Sequence, residues 1–167
     1  MASAEKRQLE AANFSADTLE FLRLLAKHSV RYIIVGGQAV IFHGYARFTG
    51  DVDFFYSTDP SNAEALFRTL LEFWDGNIPG ISCAGDLQEP GTVTQFGRPP
   101  NRIDLLTSID GVTFEEAWAT RETVLIQDRS QSIEAALLSL PKLLQNKRAS
   151  GRPKDLDDIG HLSRESP

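Results

Sequence analysis

The sequence predicts an α/β (α+β) fold, a mixed β-sheet with helices packed on it and a helical hairpin at the C-terminal end. Three observations lead there. β-Branched and aromatic runs alternate with helical apolar stripes through the first half. Strand-like runs then cluster between residues 92 and 138, separated by turn residues. Two helices with start and stop signals close the chain. Such a pattern places helices against a sheet around one core.

Taken in order, residues 1–15 are polar and are expected to fray. Residues 18–28 carry Leu19, Phe21, Leu22, Leu24 and Leu25 at helical spacing. Residues 31–35 read as a strand, broken by Gly36-Gly37, and residues 38–45 as a short helix ended by Gly44. The next strand is 52–56. Ser57-Thr58-Asp59-Pro60 turns it into a helix that runs to about Trp74, with Thr58 or Asp59 as cap and Pro60 where a missing N–H costs nothing. Residues 75–90, rich in Gly, Pro and Asp, are expected to be a mobile or irregular connection. Residues 92–96 and 102–107 look like paired strands, and 114–118 a short helix. Residues 122–127 form a strand. For 132–138 a strand competes with a helix continuous with the next one. The strand is favoured, because Ser139 with Pro141 in the first turn restarts a helix. That helix ends near Ala149, with Gly151 as a left-handed stop, and Pro153 opens a last helix to about Leu162.

At 167 residues the chain is expected to be one domain. Its 41% hydrophobic and 24% charged residues exclude disorder as the main state. A single cysteine, Cys83, excludes an internal disulfide and a cysteine-rich zinc module and fits a reducing cytoplasm. No apolar run approaches the roughly 20 residues of a membrane span, and no apolar segment follows the N-terminus as a secretory signal would. The net charge of −6 argues against a general nucleic-acid coat but leaves room for a local basic patch. The P-loop and the Gly-x-Gly-x-x-Gly fingerprint are both missing, so neither nucleotide fold built on them is supported.

The informative segment is Ile33-Ile34-Val35-Gly36-Gly37-Gln38, followed after thirteen residues by Asp51-Val52-Asp53-Phe54. Strand residues two apart share a face, roughly 6.8 Å apart. Asp51 and Asp53 therefore project together while Val52 and Phe54 face the core. Two like charges on one face call for a divalent cation between them, or for a proton on one of them. Hard oxygen ligands suit Mg²⁺ or Mn²⁺. Gly36-Gly37, at a strand-to-helix junction, lets backbone approach a ligand, and the free amides there favour an anion. A third acid, Asp104, sits in Arg102-Ile103-Asp104-Leu105-Leu106, and it converges with the pair if its strand lies beside theirs. Together these residues describe a site for a metal-bound nucleoside triphosphate. Two-metal phosphoryl chemistry would use Asp104 as a ligand or as a proton acceptor.

Val35-Gly36-Gly37, Asp51-Val52-Asp53-Phe54 and Ile103-Asp104-Leu105 resemble the motifs of the nucleotidyltransferases of the DNA polymerase β superfamily. Within it, Arg47-Phe48-Thr49-Gly50-Asp51-Val52-Asp53, Pro99-Pro100-Asn101-Arg102-Ile103-Asp104 and the stretch from Asn146 through Lys154 to Ile159 are similar to small bacterial AbiEii-type toxin proteins. The resemblance covers about residues 31–162. It implies transfer of a nucleoside monophosphate from an NTP to a hydroxyl of RNA, a protein or a small molecule, with pyrophosphate released. It also suggests an antitoxin partner protein and, as an alternative function, an interaction module that is one half of a toxin–antitoxin pair. Many active members carry Ser where this chain has Gly37, and its hydroxyl touches the triphosphate. Gly37 cannot make that contact, which keeps a non-catalytic NTP-binding protein in view as an alternative.

Around this centre, Arg47 and Thr49 precede the acid pair. Arg47 is a candidate for triphosphate oxygens, with a surface ion pair as the plainer reading. Lys147 and Lys154, in the basic run Lys142, Lys147, Arg148, Arg152 and Lys154, are candidate phosphate ligands, with a solvated face as the plainer reading. Asp104 could instead partner Arg102 or Arg98. Asp158 and His161, three apart on a helix, are expected to pair with each other. His43 is read as a packed or capping residue, and no role is expected for His28 or Cys83.

Overall fold

The computed structural model describes residues 7–164. Its seven strands are β1 (Gln8–Glu10), β2 (Tyr32–Val35), β3 (Asp51–Tyr56), β4 (Val93–Phe96), β5 (Arg102–Leu106), β6 (Glu122–Asp128) and β7 (Gln131–Leu137). They form one mixed sheet in the order β1-β6-β7-β2-β3-β5-β4. The helices are α1 (Ala16–Lys27), α2 (Gly36–Phe42), α3 (Pro60–Phe73), α4 (Phe114–Ala119), α5 (Leu140–Ser150) and α6 (Pro153–Arg164). The expected α+β architecture, with a helical C-terminal hairpin, is the one observed.

β2 is central and buried along its whole length, as its run of Tyr, Ile, Ile and Val requires. It lies antiparallel to β3 and parallel to β7. β3 in turn lies parallel to β5, which pairs antiparallel with β4. α1 and α3 cover one side of the sheet. The α1 stripe of Leu19, Phe21, Leu22 and Leu25 is buried, and Phe21 meets Phe54 edge to face at 5.3 Å. Ser15 caps α1 by accepting the Thr18 N–H at 3.1 Å, so the helix starts two residues before the apolar stripe suggests. Glycine 151, at φ +64°, ends α5 with its N–H on the Lys147 carbonyl, as the sequence indicates.

Three expectations change. The chain before residue 15 does not simply fray. Gln8–Glu10 adds to the outer edge of β6, Leu9 is buried, and Arg7 donates to the Phe42 carbonyl while stacking on that ring. Backbone pairing to an open strand edge supplies order that local composition does not. Residues 1–6 of the expected frayed segment lie outside the described residues. Residues 75–90 are irregular, as expected, but anchored: a short turn at Ala84–Leu87 buries Leu87 completely, and Tyr56 Oη donates to its carbonyl at 2.8 Å. Finally, α2 begins at Gly36 rather than Gln38 and ends at Phe42. The ambiguous segment 132–138 is a strand, paired with β6 along its full length.

Candidate active site

β3 and β5 run side by side and parallel, in a register that sets Asp53 opposite Asp104 and Asp51 opposite Arg102. The alternation of the strand then carries all three acids to one face. Ligand oxygens from Asp51, Asp53 and Asp104 lie within 4.8 Å of one another, close enough to hold a divalent cation. Asp104 is buried at 4% exposure. The Asp53 carboxyl is pushed up to about 7, first by burial and then by the Asp51 and Asp104 carboxylates beside it.

The triad holds one cation of its own. Arg102 donates from Nη2 to Asp51 at 2.7 Å and to Asp104 at 3.0 Å, and from Nε to Asp104 at 2.8 Å. Gln95, opposite Asp104 on β4, donates to Asp104 Oδ2 at 3.3 Å. Three carboxylates against one guanidinium leave an excess of negative charge. Three hard oxygen donors at this spacing fit a divalent cation and fit soft metals poorly.

The two glycines answer to the same space. Gly36, at φ +66°, begins α2, and a Cβ there would collide with the Asp53 carboxylate. Glycine is therefore required both by conformation and by the acid it faces. A Cβ on Gly37 would lie 2.5 Å from Thr49 Oγ1 and 2.8 Å from Thr49 Cβ. The Thr49 hydroxyl thus stands where a side chain at position 37 would project. It also lies 3.3 Å from Asp51 Oδ1, joining the pair motif to the acids.

One cavity of about 400 Å³ gathers these residues. Its lining includes Gly36, Gly37, Arg47, Thr49, Asp51, Asp53, Asp104, Lys147 and Lys154, so every candidate site residue from the sequence meets there. Lys154 is exposed at the rim. Arg47 and Lys147 are held differently. Lys147 Nζ lies 3.0 Å from both Asp155 Oδ1 and Asp158 Oδ2, and Arg47 grips Asp158 with Nε at 2.9 Å and Nη2 at 3.1 Å. Both of those acids are fully buried. Burial alone would raise the Asp155 carboxyl, but donation from Arg152 and Lys147 holds it well below the usual carboxylate range. With Arg152 at 2.8 Å from Asp155, three cations face two anions, and this wall of the cavity keeps a net positive charge.

The expected Asp158–His161 pair does not form. Asp158 turns inward to Arg47 and Lys147, while His161 stacks on Tyr45 and lies 3.7 Å from Asp157. The inward side of α6 offers two cations, which outbid one exposed ring. His43 is a packed residue, with Nε2 at 2.8 Å from the Leu138 carbonyl. Sequence reasoning missed Asp155 and Asp158 as a buried pair, although their i, i+3 spacing puts them on one helix face.

The profile of a family described as "nucleotidyltransferase of unknown function" (DUF6036) matches residues 16–163. The chain belongs to this nucleotidyltransferase family. The matched span takes in both glycines, the acid triad and the α5–α6 hairpin of this nucleotidyltransferase. No curated protein matches it. Among its described residues, no helix is long and apolar enough to cross a membrane.

Proposed function

We propose that this chain transfers a nucleoside monophosphate from an NTP to a hydroxyl acceptor, with Mg²⁺ or Mn²⁺ held by Asp51, Asp53 and Asp104. The observation that carries this reading is a single cavity with an acid triad on one wall and a cationic wall on α5 and α6. Negative oxygens suit the metal and positive groups suit the phosphates, so the cavity matches a metal-bound triphosphate at both ends. The acceptor oxygen bonds to the α-phosphorus, the bond from that phosphorus to the β-phosphate oxygen breaks, and pyrophosphate leaves with the electron pair. The hydroxyl proton passes to Asp104. The bound metal would neutralise charge on the phosphate oxygens as they react. Most of the catalytic effect is then positioning and electrostatics.

Gly36 and Gly37 leave backbone open to the phosphates. The Thr49 hydroxyl, filling the space over Gly37, takes the triphosphate contact that a serine at position 37 makes in similar proteins. Lys154 and Arg152 neutralise phosphate charge at the rim, and Arg47 and Lys147 set the positive field behind it. The acceptor would be RNA, a protein or a small molecule, the motif resemblance to AbiEii-type toxins supports an antitoxin partner, and the single cysteine supports a cytoplasmic setting.

The test is incubation with each α-labelled NTP, Mg²⁺ or Mn²⁺, and cellular RNA and protein. Label is expected in a macromolecule with the wild type and is expected to be lost with Asp53→Ala. Metal-dependent NTP binding with no label in any fraction would replace this reading with a non-catalytic NTP-binding protein.

A further inference from the structure

Arg102 already holds oxygens that a metal on the acid triad would draw on. Its guanidinium engages both oxygens of Asp104 and one of Asp51. A divalent cation drawing on the same oxygens would meet a positive charge already in contact with them. The two compete for the same carboxylates, because like charges a few ångströms apart repel in a partly buried site. Arg102 is nevertheless not locked in. Its side chain is 27% exposed, it borders the cavity, and its side-chain hydrogen bonds among the described residues are to the two acids. Its Cα is fixed in β5, so a guanidinium that leaves the acids stays within reach of the same cavity. Arg152 and Lys154 line the same cavity.

We infer that Arg102 is a resident counter-ion that the metal displaces and that then binds the polyphosphate. This rests on the nucleotidyltransferase reading of the site. Without metal, Arg102 holds the acids together and keeps them from repelling one another. When metal enters, the guanidinium moves off Asp104 and Asp51 and its fork meets phosphate oxygens, a geometry it suits. Metal and polyphosphate therefore bind cooperatively. The metal alone must displace Arg102 with nothing to receive it, while metal with polyphosphate gives the guanidinium a new anion.

The test uses Arg102→Met in the full chain, with two readouts. Mn²⁺ binding is followed by electron paramagnetic resonance of the free ion. Inorganic pyrophosphate binding in saturating Mn²⁺ is followed by calorimetry. The variant is expected to bind Mn²⁺ alone about tenfold more tightly, because a competing charge is gone. It is expected to bind pyrophosphate about tenfold more weakly, because a phosphate fork is gone. An effect of opposite sign on the two ligands is not the signature of a residue that only supports the fold. Arg98→Met, which removes an exposed charge from the loop before β5, is expected to change neither. Should Arg102→Met fail to fold, Arg102→Lys keeps the charge without the fork and is expected to move both affinities the same ways by a smaller factor. Unchanged or weaker Mn²⁺ binding in a folded variant would overturn the inference, as would unchanged pyrophosphate binding. Absence of Mn²⁺ binding in the wild type as well would remove the metal centre itself, and the label-transfer experiment then judges the nucleotidyltransferase reading separately.

Discussion

At the scale of single residues, the proposed chemistry centres on Asp53. Its carboxyl is pushed up to about 7 by burial and by its two acid neighbours, against an ordinary value of 3.8. The folded chain thus holds a proton there that the unfolded chain releases, and between pH 4 and 7 the folded state binds more protons. Stability of the metal-free protein is therefore fully supported below about pH 4 by this group and falls as pH rises through 7. Melting temperatures measured in chelator from pH 4 to 8 should show that decline, and Asp53→Asn should flatten it. Metal binding carries the opposite sign, since the ligand must lose its proton. Mn²⁺ affinity is expected to fall about tenfold for each pH unit below 7.

At the scale of elements, the α5–α6 hairpin is tied to the sheet domain by charge as much as by apolar contact. Arg47, in the connection between α2 and β3, reaches Asp158 on α6, and Lys147 on α5 reaches both Asp155 and Asp158. The same turn of α5 docks on the loop after β5, through Gln145 to the Gly111 carbonyl and Asn146 to the Asp110 carbonyl. Removing one member of a buried ion cluster leaves its partners uncompensated. Asp158→Asn is expected to cost about 3–5 kcal/mol, or roughly 10 °C in melting temperature for a chain of this size. Lys27→Met, which breaks an exposed pair with Glu72, should leave the melting curve nearly unchanged. Equal effects of the two substitutions would show that the buried cluster does not hold the hairpin.

At the scale of the whole molecule, the sheet places its ends differently. The β3–β5 side carries the candidate chemistry, and the β6 side is closed by β1. Deleting residues 1–10 would expose the outer edge of β6 and the site now covered by Leu9. The truncated chain is expected to melt lower and to associate with rising concentration, as seen by light scattering, because an unpaired strand edge templates further pairing. Its metal binding should be retained, since β6 lies three strands from β3.

Much of this architecture was legible in the sequence. Strand alternation put Asp51 and Asp53 on one face, and apolar neighbours around Asp104 marked it as the same kind of residue. Gly36-Gly37 marked the junction, and Ser139, Pro141, Gly151 and Pro153 bounded the closing helices. These readings succeed because they depend on periods of two or 3.6 residues and on caps a few residues long. Other features were decided only by tertiary structure. The register of β5 on β3 determined that Arg102 meets Asp51 across 51 residues of chain. Arg47 found Asp158 rather than solvent across 111 residues, and Asp158 thereby turned away from His161. Thr49 came to fill the space over Gly37, and Gln8–Glu10 became a strand by adding to β6. In each case the partner is set by which segments the sheet brings together. A charged side chain or an open strand edge carries no local mark of the partner it will meet.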